Sequence, residues 1–363
     1  VENGETLKAI QSFLRGLLES GAVGALLVPM RTPAGAVTPA LVSDPALLDA
    51  ADPLAPVMPS NAATWVGKLS VRQPRAKVGA VMRSCELRAL VELVKLQQAN
   101  LDDLTLIAVD CAGTYEVARN EGRETDAWRE LYANPESPHP ELRIACQMCE
   151  QPVYEGADAT IELLGSDLAQ GIPLTLADDG SAELAEKLGY GTQDTSAGHT
   201  ARAEVIEKLL AARTTARDAE FAAIQARLDG EEGLIGVFDT CVRCHNCMTV
   251  CPICYCKTCV FKSTVFEHEP MQYLGWANQK GAYRLPADTM LFHLTRLNHM
   301  VLSCVGCGMC TQACPADLPV GSVFRAIGQQ VQGTFDYLPG RTTDEPLPLI
   351  TFKENEWLEV GEG

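Results

Sequence analysis

"CVRCHNCMTVCPICYCKTC", residues 241–259, sets seven cysteines in nineteen positions. The chemistry that needs so many thiols decides how this part of the chain folds. A disulfide knot, a zinc module and iron–sulfur clusters are the three readings. Cys241, Cys244, Cys247 and Cys251, followed by Pro252, spell C-x2-C-x2-C-x3-C-P, and the same spacing returns at Cys304, Cys307, Cys310 and Cys314, followed by Pro315. Such a run turns three thiolates onto one cubane and sends the fourth to a second one. The expected pairing is therefore crossed: Cys241, Cys244 and Cys247 with Cys314, and Cys304, Cys307 and Cys310 with Cys251. Zinc modules pair two short Cys or His units and need neither a third cysteine in step nor a trailing Cys-Pro.

The totals agree with metal rather than disulfide chemistry. The chain has 363 residues, long enough for two or three cores, and 15 cysteines, whereas disulfide frameworks belong to short secreted domains. The composition, 47% hydrophobic and 21% charged, is that of a globular protein. A net charge of −18 argues against a nucleic-acid partner, which requires a basic face. No apolar run approaches the roughly 20 residues of a membrane span, and no secretory signal is evident. A cytoplasmic protein without membrane insertion is expected.

Between the two runs lie 52 residues, more than a compact strand-built ferredoxin would place there. The stretches "MLFHLTRLNHMVL" and "PVGSVFRAIGQQVQ" read as helices. In the second, Val323, Phe324, Ile327 and Val331 follow helical spacing behind Pro319. The pattern resembles the α-helical ferredoxin domain. Cys254, Cys256 and Cys259 are left over: they pack as small hydrophobes, or they ligate a further metal that would need a fourth partner. His245 reads as a donor to cluster sulfur or a solvent-facing group, and His293 and His299 as packing or sulfur-donating groups.

In the N-terminal half, "TLKAIQSFLRGLLESG" puts Leu7, Ile10, Leu14 and Leu17 on one helical stripe closed by Gly21. "AVGALLVPM", "KVGAVM" and "LTLIAVD" read as strands, while the Pro- and Ala-rich segment to Asn61 gives weak signals. Ser84 is expected to cap the helix "CELRALVELVKLQQA", whose apolar face is Leu87, Leu90, Val91 and Val94. Strand, helix and strand within 77–110 make a βαβ unit with parallel strands. Cys85 and Cys111 then follow the carboxyl ends of neighbouring strands, where open α/β sheets bind ligands. The helix start beside Cys85 favours a thiolate. With the C-x2-C pair Cys146 and Cys149 these make one complete thiolate set; the alternative is two buried cysteines beside a small zinc or unliganded pair. The Ala-rich stretch 200–228 reads as a docked linker helix.

The fold expected is α+β and multidomain. It comprises an α/β domain over 1–170 with a parallel βαβ unit, a helical linker over 171–234, an α-helical dicluster ferredoxin domain over 235–340, and a tail over 341–363.

These motifs resemble the coenzyme F420 hydrogenase/dehydrogenase beta-subunit family. "CPICYC", "FHLTRLNH", "CVGCGMCTQACPADLP" and "YLPG" carry the likeness in the C-terminal part, and "VMRSCELRALVEL", "IAVDCAGT" and "CQMCEQPVYEGADATIELLG" carry it in the N-terminal half. The resemblance implies that Cys85, Cys111, Cys146 and Cys149 hold a third [4Fe–4S] cluster near the family's flavin site. It also implies an electron-transfer subunit of formate dehydrogenase type. The implied partners are a molybdenum or tungsten catalytic subunit and a further electron-transfer subunit, such as a heterodisulfide-reductase-like complex.

One departure bears on FAD. The family opens its first helix with a Gly-Gly-x-Val-Thr stretch where backbone meets the flavin. This chain has "GETLKAIQSF", with Gly4 alone before Thr6, Leu7 and Lys8, and a Cβ obstructs such an approach. No G-x-G-x-x-G follows a strand to make a nicotinamide site, and no side chain reads as an acid–base catalyst. The expectation is a non-catalytic relay of electrons through three clusters. The alternative is a flavin-containing subunit that reduces F420 or NAD(P) directly.

Overall fold

The computed structural model describes residues 5–71, 76–120, 126–177, 185, 188–190, 196–231, 233–282 and 288–350. Gly4 and the segment 351–363 lie outside them.

A six-stranded sheet organises the N-terminal part, in the order β2-β1-β3-β4-β5-β6: β1 (Ala25–Arg31), β2 (Val37–Val42), β3 (Val78–Arg83), β4 (Leu104–Val109), β5 (Ala159–Ile161) and β6 (Leu174–Leu176). The four inner strands β1, β3, β4 and β5 pair in parallel, and β2 and β6 run antiparallel at the two edges. All six residues of β3 are buried, as a strand covered on both faces requires.

Successive side chains of these strands feed two layers. Leu26, Val81 and Ile107 pack with Ile10, Leu14 and Leu17 of α1 (Thr6–Glu19). Leu27, Ala80, Met82 and Leu106 pack with Ala63 and Val66 of α2 (Ala63–Ser70) and with Leu87, Leu90 and Leu93 of α3 (Ser84–Lys95). Gly21 closes α1 at φ 73°, the left-handed stop expected of it. β6 lies within the span assigned to the linker.

Two local expectations are corrected. Ser84 is the first residue of α3 and Arg83 its cap; the Glu86 carboxylate accepts the N–H of Arg83 at 2.9 Å and that of Ala62 at 2.9 Å. The weakly patterned segment before Asn61 holds β2 and a 3-10 turn, Pro45–Ala50. Pro39 obscured the strand, yet proline is tolerated at an edge, where one side needs no donor.

The helix α5 (Ser196–Leu228; α4 is given below) docks as expected. Leu209 packs among Tyr115, Leu131 and Leu142, and Ile224 packs with Phe238 and Phe324 of the C-terminal part. Beyond it come α6 (Asn246–Thr249), α7 (Pro270–Lys280), α8 (Thr289–Met300), α9 (Met309–Gln312) and α10 (Val320–Thr334); all but α7, which has no buried residue, build a helical body around Phe292, Phe324, Val320 and Met248. The chain then returns to the sheet layer: Tyr337 Oη donates to Glu92 Oε1 at 2.6 Å, and Arg88 Nε donates to the Pro339 carbonyl at 2.8 Å. No helix among the described residues is long and apolar enough to cross a membrane.

Candidate metal centres

The backbone of the first cysteine run turns inward because two residues take left-handed φ, Arg243 at 55° and His245 at 59°; α6 follows at once. The second run repeats the turn with Gly306 and Gly308, at 72° and 69°, ahead of α9. Each loop carries three cysteines ahead of or within its short helix, and a fourth just after it. Burial raises the Cys247 thiol to about 11, and the charges acting on it include those of Cys241, Cys244 and Cys314. Burial also raises Cys251 well above its ordinary value, and Cys304, Cys307 and Cys310 act on it. The charge of each fourth cysteine is thus coupled to thiols of the other run.

Cys251, Cys304, Cys307 and Cys310 line one cavity together with Ile253, Met300, Met309 and Phe324. Burial pushes Cys307 to about 11 and Cys310 to about 12. Four half-buried thiols with such resistance to ionising suit a metal group, whose positive charge takes up the thiolates that the apolar surroundings disfavour. Among the described residues no three His, Cys, Asp or Glu close in tightly enough for a single metal ion.

A second cavity is lined by Cys85, Cys111, Cys146 and Cys149, and Cys307 lines it too. Cys85 sits in the first turn of α3 and Cys111 follows β4, at one edge of the sheet. Asp110 fixes that exit: its Oδ2 accepts the N–H of Leu163 at 2.9 Å and of Leu164 at 3.1 Å. The Cys111 N–H donates to the Pro152 carbonyl at 2.9 Å. Cys146 lies in α4 (Ile144–Gln147), and the Cys149 N–H donates back to the Cys146 carbonyl at 3.2 Å.

At Cys85 burial opposes the helix start that favours a thiolate and raises this thiol well above its ordinary value. Cys146 behaves otherwise: burial opposes its ionisation, but Arg143 and Thr114 override that and hold it below the ordinary thiol value.

Sequence reasoning missed the arginines. Arg83, Arg143 and Arg213 line the cavity of the N-terminal set, and Arg296 lines that of the second run. The guanidinium of Arg143 donates to Cys146 Sγ at 3.4 Å, Thr114 Oγ1 at 2.8 Å and the Cys307 carbonyl at 3.1 Å. That of Arg296 donates to Cys247 Sγ at 3.1 Å and the Cys247 carbonyl at 3.0 Å. Arg213 and Arg296 lie far from those cysteines in sequence and leave no motif, whereas Arg83 and Arg143 stand just before Cys85 and Cys146 and were passed over.

The histidines divide. His293 is buried, stacks on Phe238 with ring centroids 3.9 Å apart, and places Nε2 3.3 Å from Cys241 Sγ. Burial and the nearby Arg296 hold its ring neutral, at about 4. His245 faces Phe292 at 4.6 Å rather than solvent, and His299 is exposed rather than packed. Cys254 and Cys259 pack against the helical core, with Cys259 Sγ 3.8 Å from Met248 Sδ, whereas Cys256 is exposed.

The 4Fe-4S dicluster domain family matches residues 237–318. The subunit beta of F420-dependent formate dehydrogenase from Methanocaldococcus jannaschii is 26% identical over 304 residues, 76% of each chain. The beta subunit of F420-dependent formate dehydrogenase 1 from Methanococcus maripaludis is 25% identical across 96% of this chain and 94% of its own. A chain of the xenon-derivatised F420-reducing [NiFe] hydrogenase complex from Methanosarcina barkeri aligns at 12% identity with a TM-score of 0.44. It covers 64% of this chain and 91% of its own, too loose a likeness to bear on fold or function. The chain is thus a relative of formate dehydrogenase beta subunits, with a 4Fe-4S dicluster region in its C-terminal part.

Proposed function

We propose that this chain is the electron-transfer subunit of a cytoplasmic oxidoreductase complex of formate dehydrogenase type, holding three [4Fe–4S] clusters. The first is held by Cys241, Cys244, Cys247 and Cys314, the second by Cys251, Cys304, Cys307 and Cys310, and the third by Cys85, Cys111, Cys146 and Cys149. Such clusters, when bound, exchange single electrons at potentials set by charge, hydrogen bonds to sulfur and exposure. The observation that carries the reading is the one cavity lined by Cys251 of the first run with Cys304, Cys307 and Cys310 of the second, together with Cys307 in the lining of the third cavity. Both support reading the three cysteine groups as one series.

The chain's own residues give that series direction and cover. Cys244 is exposed, whereas Cys146 is buried and Cys251 and Cys307 line a cavity with Ile253, Met300, Met309 and Phe324. The first group therefore lies nearest a partner and the other two are shielded from water. The division into an α/β unit over 1–170, a linker over 171–234, a dicluster unit over 235–340 and a tail over 341–363 belongs to this proposal. So do the partners, a molybdenum or tungsten catalytic subunit and a further electron-transfer subunit. Formate enters from the names of the relatives.

The relay is read as direct, without FAD. The start of α1 lacks the paired glycines, and Thr6 there is fully buried, its hydroxyl donating to the Leu168 carbonyl at 3.1 Å. That segment covers the helix start that a flavin would approach. The relatives' F420-dependent names favour the second reading, a flavin-containing subunit acting on F420 or NAD(P).

One measurement separates the two. Anaerobically purified chain is expected to hold about twelve irons and twelve sulfides, from three cubanes, and to release no flavin in acid. Stoichiometric FAD would replace the first reading by the second, and zinc with little iron would overturn both.

A further inference from the structure

The two guanidiniums that donate to cysteine sulfur stand at the two junctions of the series. Arg296 donates to Cys247 Sγ of the first group and lines the cavity of the second group. Arg143 donates to Cys146 Sγ of the third group and to the carbonyl of Cys307 in the second. The two side chains come from different helical segments, so no local motif placed both.

Both are buried, at 4% exposure each, and burying a cation without an anion is costly. Arg83, Arg202, Arg217 and Arg243 have carboxylates for that purpose. Among the described residues Arg143 and Arg296 have no carboxylate within ion-pair distance. Neutral contacts hold them instead. The Arg296 guanidinium lies 5.6 Å from the ring centre of Phe292 and 5.1 Å from that of Phe324, and Arg143 Nη1 lies 3.7 Å from Met309 Sδ. The anion each lacks is a cluster with its cysteine thiolates, on either side.

We infer that Arg296 and Arg143 are positioning residues that each hold one positive charge between two successive clusters and raise the reduction potential of both neighbours. The inference rests on the three-cluster reading above. Its electrostatics are simple: a fixed cation favours the added electron, and in a buried site the attraction is screened little. An N–H donated to sulfur acts in the same direction. Two consequences distinguish this from a packing role. The effect must follow charge rather than shape, and the middle cluster must respond to both arginines while each end cluster responds to one.

The test is a redox titration of the full-length anaerobic chain followed by electron paramagnetic resonance, each signal assigned through Cys314→Ser, Cys251→Ser and Cys111→Ser. Arg296→Met is expected to lower the potentials of the first and second clusters by about tenfold in the reduction equilibrium, 59 mV for one electron, and to leave the third unmoved. Arg143→Met should lower the second and third and leave the first. Arg296→Lys and Arg143→Lys, which keep the charge, should recover most of each shift. Unmoved potentials, or Lys variants displaced as far as Met variants, would overturn the inference while iron and sulfide near twelve keep the three-cluster reading standing. Wild-type chain without clusters would sink both. If a Met variant fails to hold iron, Arg→Gln at the same position is titrated instead, with the same expected direction.

Discussion

In the loop from Cys241 to Cys251 the left-handed positions are occupied by Arg243 and His245; in the loop from Cys304 to Cys314 they are Gly306 and Gly308. The backbone path is the same and the neighbours are not. A Cβ on Gly308 would lie 2.3 Å from the Cβ of Ala145 in α4, and one on Gly306 would lie 3.2 Å from Arg325 Cδ. The second loop is pressed against the N-terminal half, where Val305 joins the core beneath the sheet. The first loop faces its own helical body. Arg243 pairs there with Asp288 and donates to Tyr273 Oη at 2.8 Å, and the His245 ring rests on Phe292. A left-handed side chain is tolerated where it finds such contacts, and glycine is required where another backbone comes close.

The largest way to break this symmetry is to remove a shared ligand. Cys314→Ser should abolish or damage the cluster of Cys241, Cys244 and Cys247, and Cys251→Ser that of Cys304, Cys307 and Cys310. Iron should fall from about twelve toward about eight per chain in each. Spectra altered only at the mutated residue's own run would refute the crossed assignment.

Next comes Gly308→Ala. The added methyl meets Ala145, which has no flexible end to withdraw, and the left-handed φ adds strain, together about 2–5 kcal/mol. Anaerobic unfolding of the iron-loaded chain should show a clearly lowered midpoint; an unchanged one would mean the two halves sit farther apart.

His245→Gly tests the other loop. Relief of the left-handed strain and loss of the Phe292 contact oppose each other, so the midpoint should move by no more than about 1 kcal/mol. A loss as large as that of Gly308→Ala would show that the ring, not the backbone, sets the first loop.

The smallest effect belongs to the thiols that trail only the first loop. Cys256 is exposed and outside every group above, so Cys256→Ser should leave iron and sulfide content unchanged. A loss of one cluster's iron would give the trailing thiols a ligand role.

Much of this was legible because it is local. The ferredoxin-type spacing needs only eleven consecutive residues, Cys241 to Cys251, to declare itself, and the strands β1, β3 and β4 announce themselves as apolar runs. The N-terminal group was legible through one inference: a parallel βαβ unit puts Cys85 and Cys111 at the same sheet edge. Its Arg213 was not, since that side chain reaches the Ala112 carbonyl at 2.7 Å from a helix about a hundred residues further along. Pro39 hid β2, because proline's rule depends on whether a strand is at an edge, which a single strand does not reveal.

By itself the sequence determined the two cysteine runs, their helical surroundings, the parallel sheet core and the resemblance to a redox subunit, since spacing and periodicity act within a few turns of chain. Tertiary structure alone decided that Arg213 reaches the Ala112 carbonyl from a distant helix. It decided why Gly308 meets Ala145 where His245 meets Phe292, and which two arginines turn toward sulfur. Those depend on close packing and on buried charge finding its opposite, and such interactions join residues by distance in space rather than by order along the chain.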